Sequence, residues 1–140
     1  MRRPASAMLG LLLIGGLANQ ALASTLLLTC SFPVSASPTG VVRSNGPGLR
    51  FEYFWNASTR TMTSRDGGAL YPVTFVRGEE ALTIIQERGP GGNVSTLTLV
   101  LRGHDAWNAV YSRHTLFAGG ALVPSQHYGR CTHSGLTPIP

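Results

Sequence analysis

From Leu26 onward, hydrophobic and polar residues alternate along most of the chain. LRFEYFWN puts Leu49, Phe51, Tyr53 and Trp55 on one side and Arg50, Glu52 and Asn56 on the other. Leu97, Leu99 and Leu101 repeat the same period in VSTLTLVLR, and Tyr71, Val73 and Phe75 do so before them. A period of two is the mark of a strand with one buried face. Turn signals separate these runs: Asp66-Gly67-Gly68, Gly78-Glu79, Gly89-Pro90-Gly91-Gly92 and Gly119-Gly120. The segment Pro33–Gly48 is rich in Pro, Gly and Ser and reads as a long loop, with room for a short strand at Val41-Val42. This pattern predicts an all-β, single-domain antiparallel meander of about eight strands. Such a meander removes its exposed edges by closing into an up-and-down barrel; a two-sheet sandwich is the alternative.

The N-terminus has a different character. MRRPASAMLGLLLIGGLANQALAS carries Arg2 and Arg3, then an apolar run from Met8 to Ala18, then Ala21-Leu22-Ala23. These are the three parts of a secretory signal peptide, assigned to residues 1–23. Asn19-Gln20 interrupts the run before it reaches the roughly 20 apolar residues of a membrane-spanning helix. The expected organisation is a signal peptide over 1–23, a barrel-like domain over 24–132 and a short proline-ended tail over 133–140. The expected destination is the periplasm or the exterior, with no stable membrane span after cleavage.

Every one of the 11 basic residues is Arg, a bias that fits a GC-rich bacterial genome. Loss of Arg2 and Arg3 takes the formal charge from +5 to +3. The remaining arginines are scattered singly, from Arg43 to Arg130, and form no run that could track a phosphate backbone. Nucleic acid is therefore not an expected partner. Two cysteines remain, Cys30 and Cys131. In an exported chain an even count reads as a disulfide. Cys30 lies on the first strand and Cys131 on the last, and closure of a meander makes those strands neighbours. The bond would then staple the seam, closing a loop of about 100 residues worth roughly 4–5 kcal/mol on the chain-entropy argument.

The densest chemistry lies in SRHTLFAGGALVPSQHYGRC, Ser112–Cys131. Taken as a two-residue turn, Gly119-Gly120 pairs Tyr111 with Tyr128, Ser112 with His127 and His114 with Ser125. The two His and two Ser then share one face, and Tyr111, Arg113, Gln126, Tyr128 and Arg130 share the other. Zinc would need at least one more ligand than the two histidines supply. A Ser/His hydrolase would need an orienting acid and an oxyanion hole, and no GxSxG elbow occurs. Cross-strand hydrogen bonding accounts for the Ser/His face. The surplus of Tyr, Arg, His and Gln suits a recognition surface made of Tyr111, Ser112, Arg113, His114, Ser125, Gln126, His127, Tyr128 and Arg130. No catalytic residue, metal ligand or cofactor is expected.

Two resemblances follow from these motifs. The signal peptide, the early Cys30 and the SRHTLFAGGALVPSQHYGRC ending resemble short secreted alphaproteobacterial proteins of unassigned function. That resemblance implies a periplasmic location and brings no activity with it. The segment SRDGGALYPVTFVRGEEALTI, Ser64–Ile84, is similar to the central motif of the membrane-bound and periplasmic inhibitors of c-type lysozyme. That family consists of small eight-stranded barrels with a disulfide near the chain ends. By this resemblance Ser64 and Arg77, with Tyr71 in the intervening turn motif, would meet the acidic groups of a lysozyme cleft. The expected function is thus a small, monomeric, non-enzymatic periplasmic binding protein for an envelope protein or small ligand. A lysozyme-type glycosidase inhibitor is one alternative, and a metal-binding or hydrolytic site on the C-terminal hairpin is another.

Overall fold

The computed structural model describes residues 25–88, 93–102, 106–117 and 119–135. The predicted signal peptide and the end of the predicted tail lie outside them. Within them the chain forms β1 (Thr25–Ser37), β2 (Gly40–Arg43), β3 (Leu49–Asn56), β4 (Thr61–Asp66), β5 (Ala69–Arg77), β6 (Ala81–Arg88), β7 (Asn93–Val100), β8 (Ala106–Leu116) and β9 (Leu122–Ser134). All pairings between these strands are antiparallel. The sheet order is β2-β1-β3-β4-β5-β6-β7-β8-β9, and an added β1–β9 pairing closes it. The fold is therefore an eight-stranded barrel of β1 and β3–β9, with β2 attached outside the ring.

Alternation explains why it closes. The inward positions are Leu26, Leu28, Cys30 and Phe32 on β1, Tyr53 and Trp55 on β3, and Met62 on β4. Leu82, Ile84, Leu97, Leu99, Trp107, Ala109, Tyr111 and Cys131 complete the set, and none of these residues is more than 4% exposed. The outward positions carry Arg50, Glu52, Arg65, Asn108 and Arg130, together with the Thr83–Thr98 hydroxyl pair at 3.2 Å. Arg65 bonds Glu52 at 3.0 Å and lies 4.6 Å above the Phe54 ring. Exposed pairs of this kind contribute at most about 1 kcal/mol, so apolar burial inside the barrel carries the stability. No described helix is long and apolar enough to cross a membrane.

Closure is covalent as well as hydrogen-bonded. Cys30 and Cys131 face each other across the β1–β9 ladder and are joined by a disulfide, with Cα atoms 4.0 Å apart. This is the staple the sequence predicted. Disulfides persist where the compartment is oxidising, which fits a location outside the cytoplasm. The last strand runs farther than the sequence suggested. It includes His133 and Ser134, and the His133 ring stacks on Trp107 at 4.5 Å with a 10° tilt.

One irregularity shapes the outer end of the barrel. The β1–β9 register slips between Ser31↔Arg130 and Val34↔Tyr128, so β1 carries one extra residue there. A bulge of this kind bends its strand. Before the bulge β1 lies between β3 and β9; after it, β2 replaces β3 as the neighbour. Two glycines flank the bulge from opposite sides, Gly48 through its bridge to Phe32 and Gly129 on β9.

Candidate functional site

The terminal hairpin differs from its predicted register by one residue. Leu116 pairs with Leu122, Phe117 N–H donates to Ala121 O at 2.9 Å, and Gly120 N–H donates to Phe117 O at 3.0 Å. The loop is therefore one residue longer than a Gly-Gly turn. Because side chains alternate, a one-residue slip moves one strand's whole set to the other face. The observed partners are Tyr111↔His127, Ser112↔Gln126, Arg113↔Ser125 and His114↔Pro124. The expected Ser/His face does not form. Tyr111, Arg113, Ser125 and His127 share the inward side, while Ser112, His114, Gln126, Tyr128 and Arg130 share the outward side. Ser112 and His127, the pair a hydrolase would use, are on opposite faces of the wall.

Each half of the predicted surface has its own environment. Inside, Tyr111 is buried and its ring lies 5.8 Å from that of His127, whose Nε2 is 3.4 Å from Ser125 Oγ. Outside, the Tyr128 hydroxyl donates to Gln126 Oε1. Ser112, His114, Pro124 and Gln126 from the outward set and Ser125 from the inward set join Ala36 and Pro38 around a shallow depression of about 480 Å³. Among the described residues, no three His, Cys, Asp or Glu side chains gather as metal ligands do.

His127 makes the hairpin sensitive to pH. Burial, and then the positive charge of Arg113, push its pKa below the ordinary 6.5. The unfolded chain therefore binds this proton more readily than the folded one. The stability held by neutral His127 is present above its unfolded pKa and is lost as the pH falls through the lower folded value. Thermal melts from about pH 7.5 to about pH 5 should show a falling midpoint. In His127→Gln that part of the slope should vanish, and an unchanged slope would mean another group titrates.

A second candidate lies where the wall is thinnest. The β5–β6 ladder holds four pairs, from Thr74↔Ile85 to Arg77↔Leu82. Both strands continue past it, β5 back to Ala69 and β6 on to Arg88. There β5 keeps to β4, through Met62↔Val73 to Asp66↔Ala69, and β6 keeps to β7, through Gln86↔Ser95 to Arg88↔Asn93. The two hairpins part just beyond Thr74↔Ile85, two residues from Pro72, which has no N–H to give to a ladder. A cavity of about 260 Å³ is lined from both sides of the gap: Ser64, Asp66, Tyr71, Pro72 and Val73 from one, Gln86 and Glu87 from the other.

Gln86 is the unusual member. It is 4% exposed, and its amide Nε2 is buried with no hydrogen-bond partner. Its Oε1 accepts only a long bond of 3.5 Å from Ser95 Oγ. A buried donor left unmade costs about 1–3 kcal/mol, so such groups are rare without a reason. Ser64 lies across the cavity, 2% exposed. The sequence held a signal for this site that hydrophobic counting passed over. In ALTIIQER, Gln86 continues the inward period of Leu82 and Ile84, and an inward polar residue is the informative exception.

The lysozyme-inhibitor motif is divided by this geometry. Ser64 and Tyr71 are cross-strand partners and both line the cavity. Arg77 is six residues farther along β5, about 20 Å away at strand rise, where it is exposed and pairs with Leu82. Ser64 and Arg77, the two residues that would meet a lysozyme cleft together, thus lie on different strands, Ser64 on β4 beside Tyr71 and Arg77 at the far end of β5. No family model, curated protein or solved structure matches this chain.

Proposed function

We propose that this protein is an exported, periplasmic binding module that takes a small ligand in the gap between β5 and β6. The observation that carries the reading is Gln86: a buried amide donor without a partner, at the wall of a cavity open between two hairpins. A ligand acceptor would complete the missing bond. Among the described residues, large side chains from Leu26 to Tyr111 pack the barrel interior. The depression beside Ser112 and His114 is larger but shallow, and none of the described residues lining it carries a buried unpartnered polar group. The disulfide supports export, and removal of a leader over 1–23 would release the domain into the periplasm.

Gln86→Leu separates a binding role from a structural one. Replacing an unpartnered amide by an apolar group of similar size should be neutral or stabilising within about 1 kcal/mol. A thermal-shift screen of small metabolites should find compounds that raise the midpoint of the wild type and leave Gln86→Leu unmoved. If every stabilising compound acts equally on both proteins, the gap is not the binding site.

A further inference from the structure

The backbone edge that borders the β5–β6 gap narrows the class of ligand, and we infer that a short extended peptide adds to β5 there as a strand. This rests on the reading of the gap as a ligand site. Gly67 and Gly68 join β4 to β5 with φ of 55° and 88°, the two-residue turn of a tight hairpin. The pair that flanks such a turn, Asp66↔Ala69, is a hydrogen-bonded one, and bonded pairs recur at every second residue. Ser64↔Tyr71 and Met62↔Val73 are therefore bonded pairs as well. Leu70 and Pro72 turn their backbone polar groups the other way, toward the lane of β6. Thr74 shares that orientation and meets Ile85, but the β5–β6 ladder ends at this pair. Leu70 N–H, Leu70 C=O and Pro72 C=O thus form a strand edge that no described strand covers. Leu70 and Tyr71 point to opposite faces of β5, yet they are 57% and 53% exposed, as a strand without a neighbour on one side requires.

A peptide matches both this edge and the cavity behind it. An uncovered edge is a template for another strand. The carbonyls of Leu70 and Pro72 repeat at about 7 Å along the strand, the two-residue repeat of any second extended chain. Antiparallel to β5, a three-residue peptide accepts a bond from Leu70 N–H and donates one to each carbonyl. Its middle residue lies opposite Tyr71, and alternation turns that side chain inward. There it enters the cavity of about 260 Å³ that Tyr71 and Gln86 both line. Gln86 is 4% exposed, and its Nε2 has no hydrogen-bond partner. A side-chain oxygen on the middle residue, as in Gln or Asn, accepts the missing bond. Other oxygen-bearing ligands can satisfy Gln86, but they lack a row of backbone donors and acceptors at strand spacing and leave the edge unmatched.

The test is an NMR titration of isotope-labelled protein with acetyl-Thr-Gln-Thr-amide and acetyl-Thr-Asn-Thr-amide, whose capped ends carry no charge. At least one should shift the Leu70 amide and the Gln86 side-chain amide together to saturation, and exchange of the Leu70 N–H with solvent should slow in the complex. The same peptide methylated on the nitrogen of its last residue should bind about five- to ten-fold more weakly, the net worth of one hydrogen bond. Leu70→Pro should keep the wild-type melting midpoint within a few degrees, because proline is tolerated where the N–H faces away from a ladder, and it should lose the saturable shift of Gln86. Equal affinity for the plain and the methylated peptide would overturn strand addition while leaving the gap as a binding site. A wild-type dimer that Leu70→Pro renders monomeric would also overturn the inference and assign the edge to a second copy of this chain. Silence from both peptides would overturn the ligand class, and the binding role of the gap then stands or falls by the thermal-shift comparison with Gln86→Leu.

Discussion

Removing the Cys30–Cys131 bond is expected to give the largest loss of stability of any change in this chain. The bond links residues 101 apart in sequence, so the unfolded chain it constrains is almost the whole described domain. On the chain-entropy argument such a loop is worth about 4–5 kcal/mol, a large share of the roughly 5–15 kcal/mol that holds a domain together. Both cysteines are 0% exposed, within the apolar interior. Cys30→Ser with Cys131→Ser would add two buried hydroxyls to that loss. Cys30→Ala with Cys131→Ala isolates the cross-link, and urea unfolding of this pair should show about 3–5 kcal/mol less stability than the wild type. A difference below about 1 kcal/mol would mean that hydrogen bonding alone holds the seam. Because neither sulfur is exposed, a reductant should act on the folded protein only at the rate at which the seam opens.

Gly129→Ala should be the most damaging single methyl group in the same seam. A Cβ at this position would lie 1.9 Å from Ser31 O and 2.8 Å from Phe32 Cα. Those atoms are backbone, so no side chain can turn aside to make room. Relief requires β1 to move off β9 at the bulge, which would break the register that leads from Ser31↔Arg130 to Val34↔Tyr128. Overpacking that forces a backbone shift costs about 1–3 kcal/mol, and this position should reach the upper end. Gly46→Ala is the control, since the nearest atom to its Cβ is Ser44 Oγ at 4.0 Å. Urea midpoints of the two variants should differ clearly, and equal midpoints would show that the bulge yields freely.

The fold was legible because every barrel strand obeys one rule. Phe51, Tyr53 and Trp55, or Leu97 and Leu99, announce both strand and face through alternation alone. The pairing of Cys30 with Cys131 followed from topology, since closure places the first strand beside the last. The terminal hairpin was less legible because its register depends on loop length. Gly119 and Gly120 both adopt positive φ, at 97° and 84°, and such residues serve two-residue and longer turns alike. One extra loop residue sent His114 opposite Pro124 instead of Ser125. The gap between β5 and β6 was harder still. It arises because Ala69–Val73 follow β4 while Gln86–Arg88 follow β7, a competition between neighbours that no single strand encodes. Only Pro72 and the inward Gln86 hinted at it.

The disulfide also turns the domain into a loop under a mechanical clamp. Thr25 and Gly135 lie close together at the seam. Tension applied between them reaches Cys30 and Cys131 after a few residues and then passes through the sulfur–sulfur bond. The chain between the cysteines, which are 101 apart in sequence, carries none of that load. A pull on the two ends can therefore peel only the short stretches 25–29 and 132–135, and β3 to β8, with the gap that Gln86 borders, stay folded behind a covalent shunt.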